Sequence, residues 1–554
     1  MLLSLLAALL PVAATPAPPE TVTVTVLATT DTHGFLYPWD YFTRRPAPRG
    51  LAAAATLVAE VRRESPYVML IDCGDTIQGS SLESVHQSSV RAGKTDSPDP
   101  MMLAMSRMGY DAMVLGNHEL NYGLDNLAAA RTAARFPWLS ANTTGASPAF
   151  APYMVKTVGG VKVAVVGVTT SVIPQWEKPE HIRGLAWMAP EEGVRRALVQ
   201  LEREKPDVIL AAVHGGLDRD PATGEWRPGE MPGENPVWQI AEKFPQLAAI
   251  VYGHTHRREE GRRVNGVLLV QPRNWAMEVA RIDIGLAREP GGPWKVTGTS
   301  SRLLAVQPDT PADPEILALA RPYHEAAERY LDRPVAESLA ELTGARGRFE
   351  DSALVDAIHE VQMHYARADV SFSSLFNPRV RVPRGKVTAR ELAALYLYDN
   401  ELYAVEGNGR MVREALGNAA RYFRSCPEPS CERGPLVDRA IAGYNYDMAQ
   451  GVEYEIDLTR PAGKRVQNLR YRGAPLRDDQ PLRIALNNYR AAGSAGYSMF
   501  RDAKVVWRSG REIRDLMIEY FGAGRTLPGK PDGNWRLVPP RAVETLALEE
   551  APAR

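Results

Sequence analysis

Five short polar motifs stand in the first half of the chain, and each directly follows an apolar run with the character of a buried strand. The apolar runs read TVTVTVLATT, YVMLID, AMVL, DVILAAV and AAIVY. The motifs are Asp31-Thr32-His33, Gly74-Asp75, Gly116-Asn117-His118-Glu119, His214-Gly215-Gly216 and Gly253-His254-Thr255-His256. Open α/β sheets bind ligands beyond the carboxyl ends of their strands. The pattern therefore predicts one sheet with a polar cluster at its carboxyl edge.

This polar cluster has the composition of a site for two metal ions. Its carboxylate, amide and imidazole side chains are Asp31, His33, Asp75, Asn117, His214, His254 and His256. Ligands of this kind, without a thiolate, favour Mn, Fe, Co or Zn. Asp75 stands between the two ligand groups in sequence, so we predict that it bridges both ions. Two divalent ions a few ångström apart are a device for cleaving phosphate esters.

Each motif taken alone also fits a core histidine or a turn, but burying all of them in one place without metal would cost several kcal/mol. His118 directly follows Asn117 and cannot easily bind the same ion. We predict that it is a general acid, or a stabiliser of the transition state, near the leaving oxygen. A role in orienting a metal ligand is the alternative.

The length of 554 residues is too great for one hydrophobic core and predicts two large domains. A formal net charge of -1 gives no reason to expect a nucleic-acid polymer or an acidic membrane as partner. Residues 1–18 contain a short apolar core, Leu2 to Leu10, followed by small residues, and we predict a signal peptide of a periplasmic or secreted protein. A buried first helix is the alternative. We expect no later membrane span.

Strand-like and helix-like runs alternate along residues 19–307, which predicts a layered α/β domain. Its predicted helices include Leu51–Glu64 and Pro100–Met108. Residues 308–334 predict a linker helix, about Glu315 to Leu331, that opens at Asp313-Pro314. Residues 335–538 predict a smaller α+β domain, and residues 539–554 a frayed tail. Cys426 and Cys431 fit either a disulfide or two unpaired loop thiols.

The five motifs, in this order, resemble the calcineurin-like metallophosphoesterase superfamily over about Val26 to Pro272. The second half resembles the two-domain 5′-nucleotidase family, and its 2′,3′-cyclic-nucleotide 2′-phosphodiesterase/3′-nucleotidase branch in particular. Three segments carry this resemblance: LYLYDN at 395–400, YNYD with GVEYEIDLTRP at 444–461, and NNYRA at 487–491. The resemblance implies a metallophosphoesterase sandwich of layered sheets and helices, two divalent ions and small nucleotide substrates. A monomer is compatible with it.

The resemblance also implies roles for residues outside the metal cluster. Asn121 stands where 5′-nucleotidases usually have an Asp that pairs with the catalytic His, so we group His118 and Asn121 as catalytic. Tyr398 and Tyr489 match the two rings that stack on the base, a contact that tolerates any base; core packing is the alternative. The candidates for ribose and phosphate contacts are Asn377, Arg379, Arg381 and Arg490. The three arginines are chosen because guanidinium suits phosphate, and solvated surface arginines are the alternative for them.

Two other functions fit parts of the sequence. One is a 5′-nucleotidase or nucleotide-sugar hydrolase on the same fold, against which Asn121 and the segment LYLYDN argue. The other is a non-catalytic nucleotide-binding or surface protein. Such a protein would be expected to have lost metal ligands, and the sequence retains the full set.

Overall fold

The computed structural model describes residues 19–145, 149–220, 223–226, 231–398, 400–427 and 430–550. The predicted signal peptide, residues 1–18, lies outside these ranges, and its prediction stays open. None of the helices within them is both long enough and apolar enough to cross a membrane.

The first domain contains two large sheets and the helices that cover them. Its strands are β1 Glu20–Thr29, β2 Trp39–Asp40, β3 Arg45–Pro46, β4 Val68–Asp72, β5 Ala112–Val114, β6 Trp138–Leu139, β7 Thr143–Thr144, β8 Tyr153–Val158, β9 Val161–Thr169, β10 Ala186–Trp187, β11 Val208–His214, β12 Ala249–Tyr252, β13 Glu259–Val264, β14 Val267–Gln271, β15 Glu278–Arg288 and β16 Lys295–Ala305. Its helices are α1 Leu51–Glu64, α2 Ser81–Arg91, α3 Pro100–Met108, α4 Leu124–Ala133, α5 Ile173–Trp176, α6 Pro190–Leu201 and α7 Val237–Lys243.

The two sheets face each other and bury an apolar layer between them. One has the strand order β16-β15-β1-β4-β5-β6 and the other β13-β14-β12-β11-β9-β8. The inner layer contains Val26 and Ile71 from the first sheet and Val165 and Val251 from the second. Side chains alternate along a strand, so Leu27 points the other way and packs among α1, α3 and α4. Helices α6 and α7 cover the second sheet in the same manner.

The layered sandwich expected from the resemblance is confirmed, whereas the prediction of one sheet was wrong. The motif-bearing strands β1, β4 and β5 belong to the first sheet, and β11 and β12 to the second. They are parallel within each sheet. Strands buried on both faces read as continuous apolar runs, and such a run does not reveal which sheet it joins. The carboxyl ends of both sheets meet at one edge, which gives the cluster its residues from five strands.

Helix α8, Pro314–Asp332, lies where the sequence predicts the linker helix. The Asp313 carboxylate caps it by accepting the backbone N–H groups of Glu315 and Ile316 at 2.9 and 3.0 Å. Its apolar face packs among the helices of the first domain through Ile316 and Ala320. Ala327 and Leu331, further along α8, belong to the same apolar cluster, so the helix packs on the first domain along its whole length.

The second domain contains a central five-stranded sheet of order β23-β19-β27-β22-β28, with helix α9 packed on it. Its strands are β17 Pro334–Ser338, β18 Leu342–Thr343, β19 Val370–Ser374, β20 Arg381–Val382, β21 Gly385–Thr388, β22 Glu401–Asn408, β23 Asp447–Gln450, β24 Glu453–Asp457, β25 Val466–Tyr471, β26 Ala474–Pro475, β27 Pro481–Asn487, β28 Val505–Glu512, β29 Thr526–Leu527 and β30 Trp535–Val538. Its helices are α9 Ala353–Ala366, α10 Ala389–Ala393, α11 Gly409–Ala419, α12 Asn488–Ala491, α13 Ile513–Gly522 and α14 Pro540–Glu549.

Arg390 of α10 joins this domain to α8 and to the first domain. Its guanidinium lies 3.0 Å from Glu328 and 2.7 Å from Asp332, and it also donates to the carbonyl of Tyr41. Only 6% of Arg390 is exposed. A buried guanidinium with partners on both sides fixes the second domain against α8.

The structure differs from the predicted frayed tail at residues 539–554. Residues Pro540–Glu549 form helix α14, and Ala542 and Leu546 on one face of it are buried. The Glu549 carboxylate accepts the backbone N–H of Leu436 at 2.7 Å. An apolar pair four residues apart is enough to fix a short helix on a core. Residues 551–554 lie outside the described ranges.

Cys426 and Cys431 form a disulfide, with their Cα atoms 4.7 Å apart. The structure thus selects the paired alternative for these two cysteines. The third cysteine, Cys73, is fully buried at the end of β4, and burial raises its pKa well above the usual value.

Candidate metal centre and active site

The seven predicted metal ligands lie together at the edge where the two sheets end. Asp31 and His33 follow β1, Asp75 follows β4 and Asn117 follows β5, while His214 is the last residue of β11. The remaining two follow β12: His254 and His256. Rigid parallel strands thus place each ligand, and the short loops after them bring the side chains into one space.

One group of donor atoms contains Asp31, His33 and His256, all within 4.8 Å of one another. The Nε2 atoms of His33 and His256 lie 3.0 Å apart, and His256 Nε2 lies 3.5 Å from Asp31 Oδ1. His33 turns its other ring nitrogen, Nδ1, to the carbonyl of Gln78 at 3.1 Å. With the proton on Nδ1, the His33 Nε2 lone pair faces a second imidazole nitrogen, an arrangement that a cation between them would satisfy.

The second group contains Asp75, His214 and His254. His214 Nε2 lies 3.1 Å from Asp75 Oδ2 and 3.0 Å from Asn117 Oδ1, and its Nδ1 lies 2.8 Å from the carbonyl of Cys73. Asp75 Oδ2 is also 4.0 Å from His33 Nε2. Asp75 therefore lies between the two groups, the place that a bridging carboxylate needs.

The charges of these groups suit divalent cations. Burial raises the pKa of Asp31, but the hydrogen bond and charge of His256 outweigh burial and bring it to about 2. Burial, followed by the charge of His256, lowers the pKa of His33 to about 4. Burial also lowers the pKa of His214, but the Asp75 carboxylate outweighs it and raises the pKa to about 10. The Asp75 carboxylate thus favours a positive charge at His214, and a metal ion bound by the same donor atoms would supply that charge. The residues present therefore fit two metal ions.

The Glu119 carboxylate holds two of the ligand loops together. It accepts the backbone N–H groups of Asp75 at 2.9 Å, Gly116 at 2.7 Å and Thr76 at 2.5 Å. A Cβ at Gly116 would clash with Asp75 Oδ1 and Glu119 Oε2, so only glycine permits this close approach. Sequence reasoning included Glu119 in a motif but gave it no role, because backbone partners from another loop leave no sequence signal.

Five of the seven ligand residues have left-handed backbone conformations. The residues and their φ angles are Asp31 at 48°, His33 at 48°, Asp75 at 59°, His254 at 71° and His256 at 53°. This region costs an L-residue roughly 1–2 kcal/mol. Strain of this kind persists where the surrounding structure imposes it, typically at functional sites.

His118 lies beside the metal ligands, with its ring between Asn121 and the second domain. Its backbone N–H donates to Asp75 Oδ1 at 2.8 Å, and its Nδ1 lies 2.6 Å from Asn121 Oδ1. Its Nε2 lies 3.2 Å from the hydroxyl of Tyr489. On its other side Asn121 Nδ2 donates to Glu177 Oε2 at 2.6 Å. The structure thus brings together the two predicted catalytic residues and adds Glu177, which sequence reasoning missed.

The ring of Tyr489 reaches from the second domain to the metal centre. It stacks on Trp176 with ring centroids 5.6 Å apart, and Trp176 stacks on His254 at 5.5 Å. Trp176 carries no motif signal in the sequence, because it lies in the four-residue helix α5 far from the ligand motifs. Its position between a ligand and Tyr489 makes it part of the wall of the site.

Tyr398 has a different set of ring partners. It packs edge-on against Phe376 at 5.2 Å and Tyr444 at 6.1 Å, and 36% of it is exposed. An exposed ring supported by two others is available for stacking. The prediction that Tyr398 and Tyr489 hold a base between them stays a prediction.

The prediction of Arg490 as a substrate ligand conflicts with the structure. Its guanidinium lies 2.7 and 3.0 Å from the two carboxylate oxygens of Asp447 and donates to the carbonyl of Tyr444 at 2.8 Å. Arg490 is only 5% exposed. Because its guanidinium is paired with the buried Asp447 carboxylate, Arg490 stabilises the core of the second domain and does not face a substrate.

The other candidates for ribose and phosphate contacts lie in the turn after β19 and at the start of β20. Asn377 Oδ1 accepts the backbone N–H of Arg379 at 3.0 Å, and Arg379 is exposed. Arg381 lies 3.8 Å from Glu341, with both side chains more than 70% exposed. Their contacts with substrate stay predictions.

Comparison with known proteins agrees with this geometry. Residues 24–258 match the family model of the calcineurin-like phosphoesterases, and residues 332–502 match that of the 5′-nucleotidase C-terminal domain. The 2′,3′-cyclic-nucleotide 2′-phosphodiesterase/3′-nucleotidase of Haemophilus influenzae is 28% identical over 94% of this chain and 88% of its own length. The trifunctional nucleotide phosphoesterase protein YfkN of Bacillus subtilis is 28% identical over 97% of this chain, which spans 40% of that longer protein.

Among solved structures, a Staphylococcus aureus protein described as a 5′-nucleotidase superposes with a TM-score of 0.78 at 26% identity, covering 93% of this chain and all of that one. Fold and donor set together define a metal-dependent phosphoesterase of the calcineurin-like class. The C-terminal domain narrows this class: the chain belongs to the two-domain 5′-nucleotidase family.

Proposed function

We propose that the protein hydrolyses 2′,3′-cyclic nucleotides to 3′-nucleotides, and 3′-nucleotides to nucleoside and phosphate. In the first reaction one water is added, the bond between phosphorus and the 2′ oxygen breaks, and that oxygen takes up a proton. The observation that carries the proposal is the pair of adjacent donor groups with Asp75 between them and His118 beside them. Relatives that are named for both activities support the substrate class.

Two divalent ions, Mn, Co, Zn or Fe, complete the proposed site. Asp31, His33, Asp75 and His256 would hold one ion, and the other would be held by the second set: Asp75, Asn117, His214 and His254. When bound, such a pair of ions polarises a phosphoryl group and makes water a better nucleophile.

His118 supplies the proton that the leaving ribose oxygen needs. An alkoxide is a poor leaving group, so protonation by a positioned side chain accelerates its departure. Asn121 fixes the ring through Nδ1, which directs Nε2 toward the space in front of the metal ligands. The hydroxyl of Tyr489, 3.2 Å from that nitrogen, marks where a substrate oxygen would lie.

The second domain recognises the nucleoside. Tyr398 and Tyr489 offer ring faces to a base, and stacking accepts any base because each has a π-face. Asn377 and Arg379 remain the proposed contacts with the sugar or phosphate. The proposed partners are small nucleotides and not a nucleic-acid polymer, and the proposed location is the periplasm or the medium.

A 5′-nucleotidase or nucleotide-sugar hydrolase is the second candidate. Several relatives are named 5′-nucleotidases, at 26–27% identity. Asn121 in place of an acidic partner of His118 favours the cyclic-nucleotide activity. A non-catalytic role is the least supported, because all seven predicted ligand residues are present and lie close together.

Initial rates on 2′,3′-cyclic AMP, 3′-AMP, 5′-AMP and UDP-glucose, each with Mn²⁺, Co²⁺ or Zn²⁺, test the proposal. We expect the first two to be cleaved fastest. A preference for 5′-AMP or UDP-glucose would favour the second candidate. An absence of turnover with all four esters and all three metals would refute the proposed activity.

A further inference from the structure

Asn121 is hydrogen-bonded at both ends of its amide. Its oxygen lies 2.6 Å from His118 Nδ1 and its nitrogen 2.6 Å from Glu177 Oε2. A carboxylate only accepts hydrogen bonds, so the Asn121 atom that faces Glu177 must be the NH₂ group. The amide oxygen then faces His118, and the hydrogen in that contact must belong to the histidine. Glu177 thus selects the Nδ1-protonated form of a ring that it does not touch.

The Glu177 carboxylate is surrounded by donors. The backbone N–H of Lys178 donates to Oε1 at 2.8 Å, and His181 Nδ1 lies 2.8 Å from the same oxygen. Only 8% of Glu177 is exposed. With both oxygens engaged by N–H groups, the carboxylate keeps one orientation toward Asn121.

Both domains hold the backbone around Glu177. Its own N–H donates to the carbonyl of Ile173 at 2.9 Å within the first domain. The carbonyl of the preceding residue, Trp176, accepts Asn488 Nδ2 of the second domain at 3.1 Å. Asn488 is adjacent to Tyr489, which contacts His118 from the other side. The second domain therefore stabilises both ends of this line of hydrogen bonds.

We infer that Glu177 is a positioning residue for the phosphoester hydrolysis, acting through the amide of Asn121 to orient His118. This inference rests on the proposed function, because it is there that His118 protonates the leaving oxygen. An Asp at position 121 would bring a negative charge into direct contact with His118. Here Asn121 is neutral, and the negative charge belongs to Glu177, on the far side of the Asn121 amide.

Glu177→Gln tests this first. A glutamine can donate or accept, so the amide of Asn121 can turn over and present NH₂ to His118. We expect kcat on 2′,3′-cyclic AMP to fall about ten- to a hundredfold, the range for residues that orient a catalytic group, with KM nearly unchanged. The loss should be smaller on bis-p-nitrophenyl phosphate, whose leaving group departs without a proton. Equal losses on both esters would overturn the inference.

A charge exchange between the two positions gives the sharper test. Asn121→Asp alone puts two carboxylates in contact and should lower kcat. Combined with Glu177→Gln, it places the charge on His118 and lets the new glutamine donate to the new aspartate. We expect this double variant to be at least tenfold more active than either single variant, an interaction of the kind that contacting residues show. Losses that simply add would overturn the inference.

Glu180→Gln is the matched control, because it makes the same change at an exposed position of the same loop and leaves the contact of Glu177 with Asn121 in place. It should keep the ratio of rates on the two esters. If it changes that ratio as Glu177→Gln does, the effect comes from the charge of the loop and not from the contact with Asn121, and the inference fails. Melting temperatures and metal content of all variants identify losses caused by misfolding, in which case the double variant decides. An unmodified protein that cleaves neither ester would refute the proposed function itself, together with this inference.

Discussion

Asp75 contacts both ligand groups of the centre, through His214 at 3.1 Å and His33 at 4.0 Å. The loop that carries Asp75 is held independently, by the Glu119 carboxylate on the Asp75 N–H. Loss of the Asp75 charge should therefore disable the centre and leave its backbone in place.

We predict that Asp75→Asn abolishes turnover of 2′,3′-cyclic AMP with little change in the fold. An amide cannot bridge two cations as a carboxylate does. Steady-state rates, circular dichroism and bound metal per chain measure the effect, with the exposed Asp309→Asn as control. Full activity of a chelated, metal-free sample would contradict the two-metal mechanism.

His118→Ala should lower kcat on 2′,3′-cyclic AMP by the ~10²–10⁴ that general acid catalysis contributes. Metal content should change little, because the donor groups of the centre do not include the His118 ring. The loss should be smaller on bis-p-nitrophenyl phosphate. The ratio of the two rates is the measurement, and an equal loss on both esters would assign His118 to orienting a metal ligand.

Single residues differ in how far sequence can predict their role. The clustering of the proposed metal ligands was predictable, because each of the five motifs directly follows an apolar strand and such strands end at a shared edge. Arg490 was not, since an arginine that binds phosphate and one that pairs with a buried Asp447 look the same in sequence. Glu177 and Trp176 carry no motif, and only the folded chain brings them to His118.

At the scale of elements, helix α9 begins beside a cluster of carboxylates. Asp356 in its first turn lies within 4.8 Å of Asp351 and Asp532. Burial, followed by the charges of Asp351 and Asp532, raises the pKa of Asp356 to about 8. An unfolded Asp has a pKa of about 3.9. The folded state therefore binds the extra proton, and stability is lost as pH rises between about 4 and about 8.

We predict that Asp356→Asn raises the melting temperature at pH 8 and has little effect at pH 4. Asparagine needs no proton, and each pKa unit of difference corresponds to about 1.4 kcal/mol. Thermal unfolding across this pH range measures the effect, with Asp502→Asn at an exposed site as control. A gain in stability that is the same at both pH values would show that ionisation of Asp356 does not oppose folding.

Elements with strong local signals were predicted well. Helices α1 and α3 have the bounds expected from the sequence, Leu51–Glu64 and Pro100–Met108. The two-sheet arrangement was not visible, because a strand buried on both faces shows the same apolar run in either sheet. Helix α14 was missed because its stability comes from Ala542 and Leu546 packing on a distant core, and its own sequence is short and mixed.

At the scale of the whole molecule, the proposed active site takes residues from both domains. The proposed metal ligands belong to the first domain, whereas Tyr398 and Tyr489 belong to the second. Arg390 and helix α8 fix the two domains together on one side, and the stack of Tyr489 on Trp176 joins them at the site. The proposed nucleotide site therefore needs residues that neither domain supplies alone.

We predict that Tyr398→Ala raises KM for 2′,3′-cyclic AMP about ten- to a hundredfold, because base stacking contributes roughly 1–3 kcal/mol. The base-free ester bis-p-nitrophenyl phosphate should be far less affected. Tyr489→Ala should impair both esters, since Tyr489 also contacts His118. The exposed Tyr67→Ala is the control. Equal losses on both esters for Tyr398→Ala would show that its ring only packs the domain.

The left-handed backbone of five ligands has a consequence for the metal-free protein. Alanine normally stabilises a chain relative to glycine, but at a φ of 53° the order should reverse at His256. We expect metal-free His256→Gly to be about 1 kcal/mol more stable than His256→Ala, since glycine adopts this region freely. Urea denaturation with a chelator measures the difference, and at His364 in α9 alanine should be the more stable.

If alanine and glycine rank at position 256 as they do at 364, the backbone there is not strained. If glycine is the more stable at position 256, a sequence selected only for stability would have glycine at this position instead of a histidine. At the five left-handed positions, stability of the metal-free chain would then favour glycine, whereas metal binding requires aspartate or histidine.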